Sequence, residues 1–92
     1  MIRSFRHKGL QRFYETGNKA GIQPAHEKRL RTVLGSLEFA QTPNDIGPPG
    51  LRLHALSGGM EGRWAVRVSG AWRITFRFEE GHAWEIDYVQ YH

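Results

Sequence analysis

RWAVRVSGAWRITFRFEEGHAWEIDYVQYH, residues 63–92, is the stretch whose reading decides the fold. Three runs within it, RWAVRVS (63–69), AWRITFRF (71–78) and AWEIDYV (83–89), alternate bulky apolar residues with charged or small ones. A period of two is the signature of a strand with one face buried and one face wet. The spacers SGA and EEGH carry glycines where a hairpin needs them. One step upstream, LRLHAL (51–56) reads as a further strand, joined through SGGMEG. Four antiparallel strands therefore follow one another.

Parity sorts the side chains. Leu51 and Leu53, then Trp64, Val66 and Val68, then Trp72, Ile74, Phe76 and Phe78, then Trp84, Ile86 and Tyr88 are expected on the core face. Each such side chain, once buried, contributes about 1.5–3 kcal/mol, so the register is firmly set. The opposite parity collects Arg52, His54, Arg63, Arg67, Arg73, Thr75, Arg77, Glu85, Asp87 and Tyr91.

Further out, QTPNDIGPPGL (41–51) breaks all periodicity with three prolines and two glycines and reads as a loop. Before it, Leu30, Val33, Leu34 and Leu37 follow the i, i+3, i+4, i+7 spacing of a helix with one buried stripe, and Pro24 suits its first turn. Leu10, Phe13 and Tyr14 mark an earlier helix that Gly17 is placed to end. MIRSF at the start reads as a short strand. The expected order is β-α-α-β-β-β-β, an α+β fold with two N-terminal helices packed on one face of a mainly antiparallel sheet.

At 92 residues a single domain (1–92) with a small core is expected. There is no cysteine, so disulfides and thiolate metal sites are excluded. No apolar run is long enough to cross a membrane as a helix, and the first residues lack the apolar stretch of a secretory signal. A cytosolic protein without a membrane partner is expected. The formal charge is +4 and the pI about 10.0, a field that attracts polyanions.

The open face of the sheet admits two readings. Cross-strand Arg–Glu and Arg–Asp pairs account for much of it as ordinary sheet chemistry. Alternatively, arginine dominates this face while most lysines lie in the N-terminal half, and guanidinium forks match phosphate oxygens. His54 on this face and His92 beyond the last strand add proton-transfer groups suited to neutral pH. Cleavage of RNA by its own 2′-hydroxyl needs a base, an acid and a cation on the five-coordinate phosphate. Two histidines and an arginine supply those without metal or cofactor. His7, His26 and His82 read as exposed, and no HxH or HxxxH spacing favours a metal site.

PPGLRLHALSG (48–58), AVRVSGAWRITFRF (65–78), the closing YH and the opening MIRSFRHKGL together resemble the HigB branch of the RelE superfamily of bacterial toxins, over nearly the whole chain. The resemblance implies a microbial-ribonuclease-like fold. It also implies an endoribonuclease that enters the A site of the 70S ribosome, against the 16S rRNA, and cuts messenger RNA there. A helix-turn-helix antitoxin is the implied protein partner. The family's catalytic histidine maps to His54, its strand arginine to Arg73, and its terminal pair to Tyr91 and His92. Arg52, Arg63, Arg67, Arg77 and Gln90 are the expected RNA contacts. Two positions depart from the pattern: Gln90 stands where relatives often carry an acid, and Ser57 where they often carry a lysine, whose cation Arg67 would replace. A non-catalytic basic module that holds RNA or an acidic segment by charge and stacking is the competing class.

Overall fold

In the structure, a computed structural model describing residues 1–46, 53–56 and 62–91, helix α1 (Lys8–Thr16) and helix α2 (Glu27–Phe39) precede a sheet of β1 (His54–Ala55), β2 (Arg63–Ser69), β3 (Trp72–Glu79) and β4 (His82–Gln90). The strands lie in the order β1-β2-β3-β4, each antiparallel to the next. Arg52, His92, Leu51 and Ser57 lie outside the described residues. No described helix is long and apolar enough to cross a membrane.

Local chemistry sets both helices. His7 caps α1 through its ring, which accepts from the Leu10 amide at 2.9 Å. Gly17 ends it in the left-handed region at φ 81°, donating its amide to the Phe13 carbonyl. Pro24 opens a 3-10 turn, Pro24–His26, that leads into α2. Leu10 and Phe13 of α1 and Leu30, Val33, Leu34 and Leu37 of α2 are buried against Val66, Ile74, Phe76 and Ile86 of the sheet. The segment before α2 crosses α1 closely: a Cβ on Gly21 would stand 2.6 Å from the Gly9 Cα, so only glycine fits there.

The expected element order holds, with two corrections that share one cause. Thr75 pairs with Asp87 and Arg77 with Trp84, so two residues of β4, Glu85 and Ile86, stand opposite Phe76 alone. This is a β-bulge, with Glu85 at φ 51°. The extra residue shifts the alternation by one. Trp84, expected in the core, therefore lies on the open face beside Arg77, and Ala83 turns inward, fully buried. The first strand is reduced to two parallel bridges with β4, Ile2 to Ala83 and Phe5 to Ile86. Between them the bulge interrupts the ladder, and the Glu85 amide donates to the Ser4 hydroxyl at 2.8 Å instead of to a carbonyl. Among the described residues 53–56 of LRLHAL, β1 has two residues, His54 opposite Ala65 and Ala55 opposite Trp64.

Candidate nucleic-acid interface

With both helices on the core side, the other face of the sheet carries the polar set. Its geometry follows from the register. His54 of β1, Ala65 of β2, Thr75 of β3 and Asp87 of β4 form one transverse row. On one side of it Arg63 stands opposite Arg77; on the other, Arg67 stands opposite Arg73. Like charges placed directly across a strand pair repel, and each pair must be answered by something.

Glu85 answers the first pair. Its carboxylate lies 3.2 Å from a terminal nitrogen of Arg63 and 2.8 Å from Nε of Arg77, with Arg6 at 4.0 Å. Arg63 also donates to the Glu85 carbonyl at 2.9 Å and to the Thr75 hydroxyl at 3.2 Å. It is buried, only 7% exposed. That burial, with Arg6 beside it, pulls its guanidinium below its ordinary pKa, while Glu85 pulls the other way. Arg77 is half-buried and bonds Glu79 as well, at 3.0 Å. The expectation that Arg63 and Arg77 present their forks to RNA is therefore corrected. Arg63 is internal, and Arg77 is held between two carboxylates. The reason is Glu85, which parity already places on this face and which lies within reach of both.

The second pair has no such partner. Neither Arg67 nor Arg73 makes an ion pair with a described carboxylate. Arg67 is exposed. Arg73 is half-buried, anchored by one terminal nitrogen to the carbonyls of Gly70 at 2.7 Å and Trp72 at 3.0 Å. Its guanidinium lies 5.5 Å over the ring of Tyr91. Tyr91 is tied down in turn by its amide, which donates to the Ala71 carbonyl at 2.8 Å, and its ring remains exposed. These bonds hold Arg73 in one orientation while leaving the rest of its fork without a described partner.

His54 is exposed and lies one row away from this pair. Two strand spacings across the sheet and two residues along it, roughly 12 Å in all, separate its backbone from that of Arg73. Gln90 is exposed opposite Trp72 and has the parity of the core face. Arg67, Arg73 and Tyr91 are thus brought together with His54 nearby; Arg63 and Arg77 are withdrawn.

Two side chains outside this site were misjudged from sequence. His26, read as exposed, is 8% exposed, with Nδ1 hydrogen-bonded to the Tyr88 hydroxyl and its ring edge-on to Trp72. Burial lowers its pKa and raises that of Tyr88. His82 is half-buried at the start of β4, its Nε2 3.3 Å from Arg3. Among the described residues no group of three His, Cys, Asp or Glu is placed to hold a metal ion.

Comparison with known proteins agrees with this architecture. The chain is 36% identical over 92 residues to the endoribonuclease HigB of Proteus vulgaris, all of both chains being covered. It is 33% identical over 85 residues to toxin HigB-1 of Vibrio cholerae serotype O1, 90% of each chain being covered. A family model described as the RelE-like toxin of the type II toxin–antitoxin system HigB matches residues 3–92. The chain therefore belongs to the HigB-like family of RelE-like toxins of type II toxin–antitoxin systems.

Proposed function

We propose that this chain is an endoribonuclease that arrests growth by cutting messenger RNA in the A site of the translating ribosome. It acts as a single domain in the cytoplasm and is held inactive by a helix-turn-helix antitoxin. The observation that carries this reading is the Arg67–Arg73 pair, a cross-strand cation pair without an ion-pair partner among the described residues, with an aromatic ring under one member and an imidazole one row away. Such a pair is unfavourable in the free protein and is relieved by an anion between its members.

The reaction runs as follows. One of His54 and His92 takes the proton of the 2′-hydroxyl. The 2′-oxygen attacks the adjacent phosphorus, and the bond to the 5′-oxygen breaks. The other histidine gives that oxygen its proton, leaving a 2′,3′-cyclic phosphate and a 5′-hydroxyl. Arg73 steadies the charge on the five-coordinate phosphate; a single preorganised hydrogen-bond donor to a developing oxyanion is worth about 2.7–4 kcal/mol. Arg67 assists. Tyr91 stacks on a base or orients the phosphate. The ribosome supplies the bent codon that a small domain cannot impose on free RNA.

The test is to add the protein to translating ribosomes and map new RNA ends. Cyclic phosphate or 3′-phosphate ends within codons are expected; 3′-hydroxyl ends would exclude internal attack. Binding without cuts would support the non-catalytic module.

A further inference from the structure

A groove of about 580 Å³ lies on the helix side of the sheet, between the start of α2 and the end of β2. His26, Lys28, Arg29, Thr32 and Ser69 supply its polar lining, and no carboxylate lines it. Elsewhere on α2 the cation is neutralised: Arg31 bonds Glu27 at 3.0 Å, and Lys19 reaches the same carboxylate at 3.2 Å. Lys28 and Arg29, both exposed, make no ion pair with a described residue. The floor is fixed, because His26 is held on the Tyr88 hydroxyl and against Trp72. Two cations without an ion-pair partner among the described residues, the Ser69 hydroxyl and an anchored imidazole around an open groove make a chemistry for phosphate oxygens, while the Thr32 hydroxyl donates to the Lys28 carbonyl at 3.2 Å.

The groove lies around the end of the sheet from the open-face site. Arg67 belongs to the open face and Ser69 to the groove, two residues and roughly 7 Å apart along β2. The turn between β2 and β3 separates them, and Arg73 grips that same turn through the Gly70 carbonyl.

We infer that the groove binds the sugar-phosphate backbone of RNA, as a second anchor that continues the Arg67–Arg73 site around the end of the sheet. The inference rests on the proposed RNA-cutting function for its choice of partner. It adds a contact remote from the reacting phosphate, whose role is affinity and register, not chemistry.

The experiment uses single-stranded RNA methylated on its 2′-hydroxyls, which cannot be cut by internal attack. Its affinity is measured across a salt series for the unaltered protein, for Lys28→Glu/Arg29→Glu, and for Lys8→Glu/Arg12→Glu on α1 as a charge-matched control. Each lost phosphate contact on a single strand lowers the salt slope by about 0.7, so a drop of about 1.4 is expected for the groove variant alone. Affinity at low salt should fall about tenfold or more, and Lys28→Ala/Arg29→Ala should follow in the same direction. On programmed ribosomes the groove variant should need more protein for half-maximal cutting, with the rate at saturation unchanged. Equal losses in both variants would assign the effect to the general field and overturn the inference. Unchanged RNA binding with lost antitoxin binding would overturn it too. If the unaltered protein cuts nothing yet the methylated RNA shows the slope change, the catalytic reading fails and the groove stands.

Discussion

Arg63–Arg77 and Arg67–Arg73 are the same construction built twice on one sheet face, four residues apart along β2, yet they have opposite fates. In the first, one carboxylate at a bulge gathers both guanidinium groups, and Arg63 is sealed from water. In the second no described carboxylate is within reach, and backbone carbonyls and a tyrosine ring orient the cation without neutralising it. Carbonyls and rings aim a guanidinium but leave its charge available. Cation count alone therefore does not locate a polyanion site; the placement of the few carboxylates does.

The largest expected effect comes from removing the oriented cation. Arg73→Ala should lower the rate of RNA cutting by about 10²–10³-fold, the range found when one preorganised donor to a reacting oxyanion is lost. It should leave thermal unfolding close to that of the unaltered protein, since Arg73 is not part of the core. Single-turnover cutting on ribosomes and loss of growth arrest in cells measure the first part. If Arg77→Ala abolished cutting as completely, the distinction between the two pairs would be broken.

Next in size is the structural arginine. Arg63→Ala removes hydrogen bonds to the Glu85 carboxylate, the Glu85 carbonyl and the Thr75 hydroxyl from a buried position. A loss of about 2–3 kcal/mol of folding stability is expected, because buried acceptors lose a charged donor. The figure stays below that of a fully buried ion pair, as the Glu85 side chain is 41% exposed. Urea unfolding gives the loss. Cutting per folded molecule should change little, the reverse of the outcome at Arg73.

These contrasts mark how far the sequence alone is legible. The alternation in residues 63–67 and 73–79 is unbroken, so the two faces of those segments are readable residue by residue, whereas a register shift between Arg67 and Ser69 sets Ser69 opposite Trp72. The leucine and valine stripe of α2 is equally direct. What could not be read is the bulge. Glutamate at φ 51° carries no local signal, whereas a glycine at that position would have suggested one. From that single residue follow the misplaced Trp84 and the interrupted first strand; the burial of Arg63 and the holding of Arg77 rest on Glu85, whose place on this face parity already gave. The burial of His26 was hidden for another reason. Its partner, Tyr88, lies 62 residues away, and no local pattern announces a long-range hydrogen bond.

A smaller and sharper effect comes from editing the carboxylate itself. Glu85→Gln keeps the shape and the hydrogen-bonding oxygen but releases the charge that holds Arg63, Arg77 and Arg6. Folding stability should fall by about 1 kcal/mol, since these are partly exposed ion pairs at the upper end of their range. Affinity for single-stranded RNA at low salt should rise, because Arg77 becomes available to phosphate. A salt-dependent filter-binding series reads this directly. A fall in RNA affinity would mean that Glu85 serves the site in some way other than neutralising the first pair.

The least effect is expected from pH, and it separates the arginine pairs from the rest of the fold. Guanidinium groups keep their charge throughout the accessible range, so the contrast between the two pairs should survive any change between pH 5 and 8. His26 behaves differently. Folded, it is buried and its pKa lies below the ordinary 6.5; unfolded, it takes up a proton near that value. Below pH 6.5 the unfolded chain therefore binds more protons, and stability declines until the folded pKa is passed; above 6.5 this contribution is fully present. Glu27, bonded by Arg31, and Glu38, bonded by the Ile2 amide, are held below 4.5, so their contributions are lost only in more acid solution, as pH falls below that value. Unfolding midpoints measured from pH 7.5 to 5 should thus drop modestly, and His26→Gln should flatten that drop while lowering the plateau through loss of packing against Trp72. A midpoint that rose on acidification would contradict a neutral, buried His26. An unchanged slope in His26→Gln would assign the dependence to another histidine.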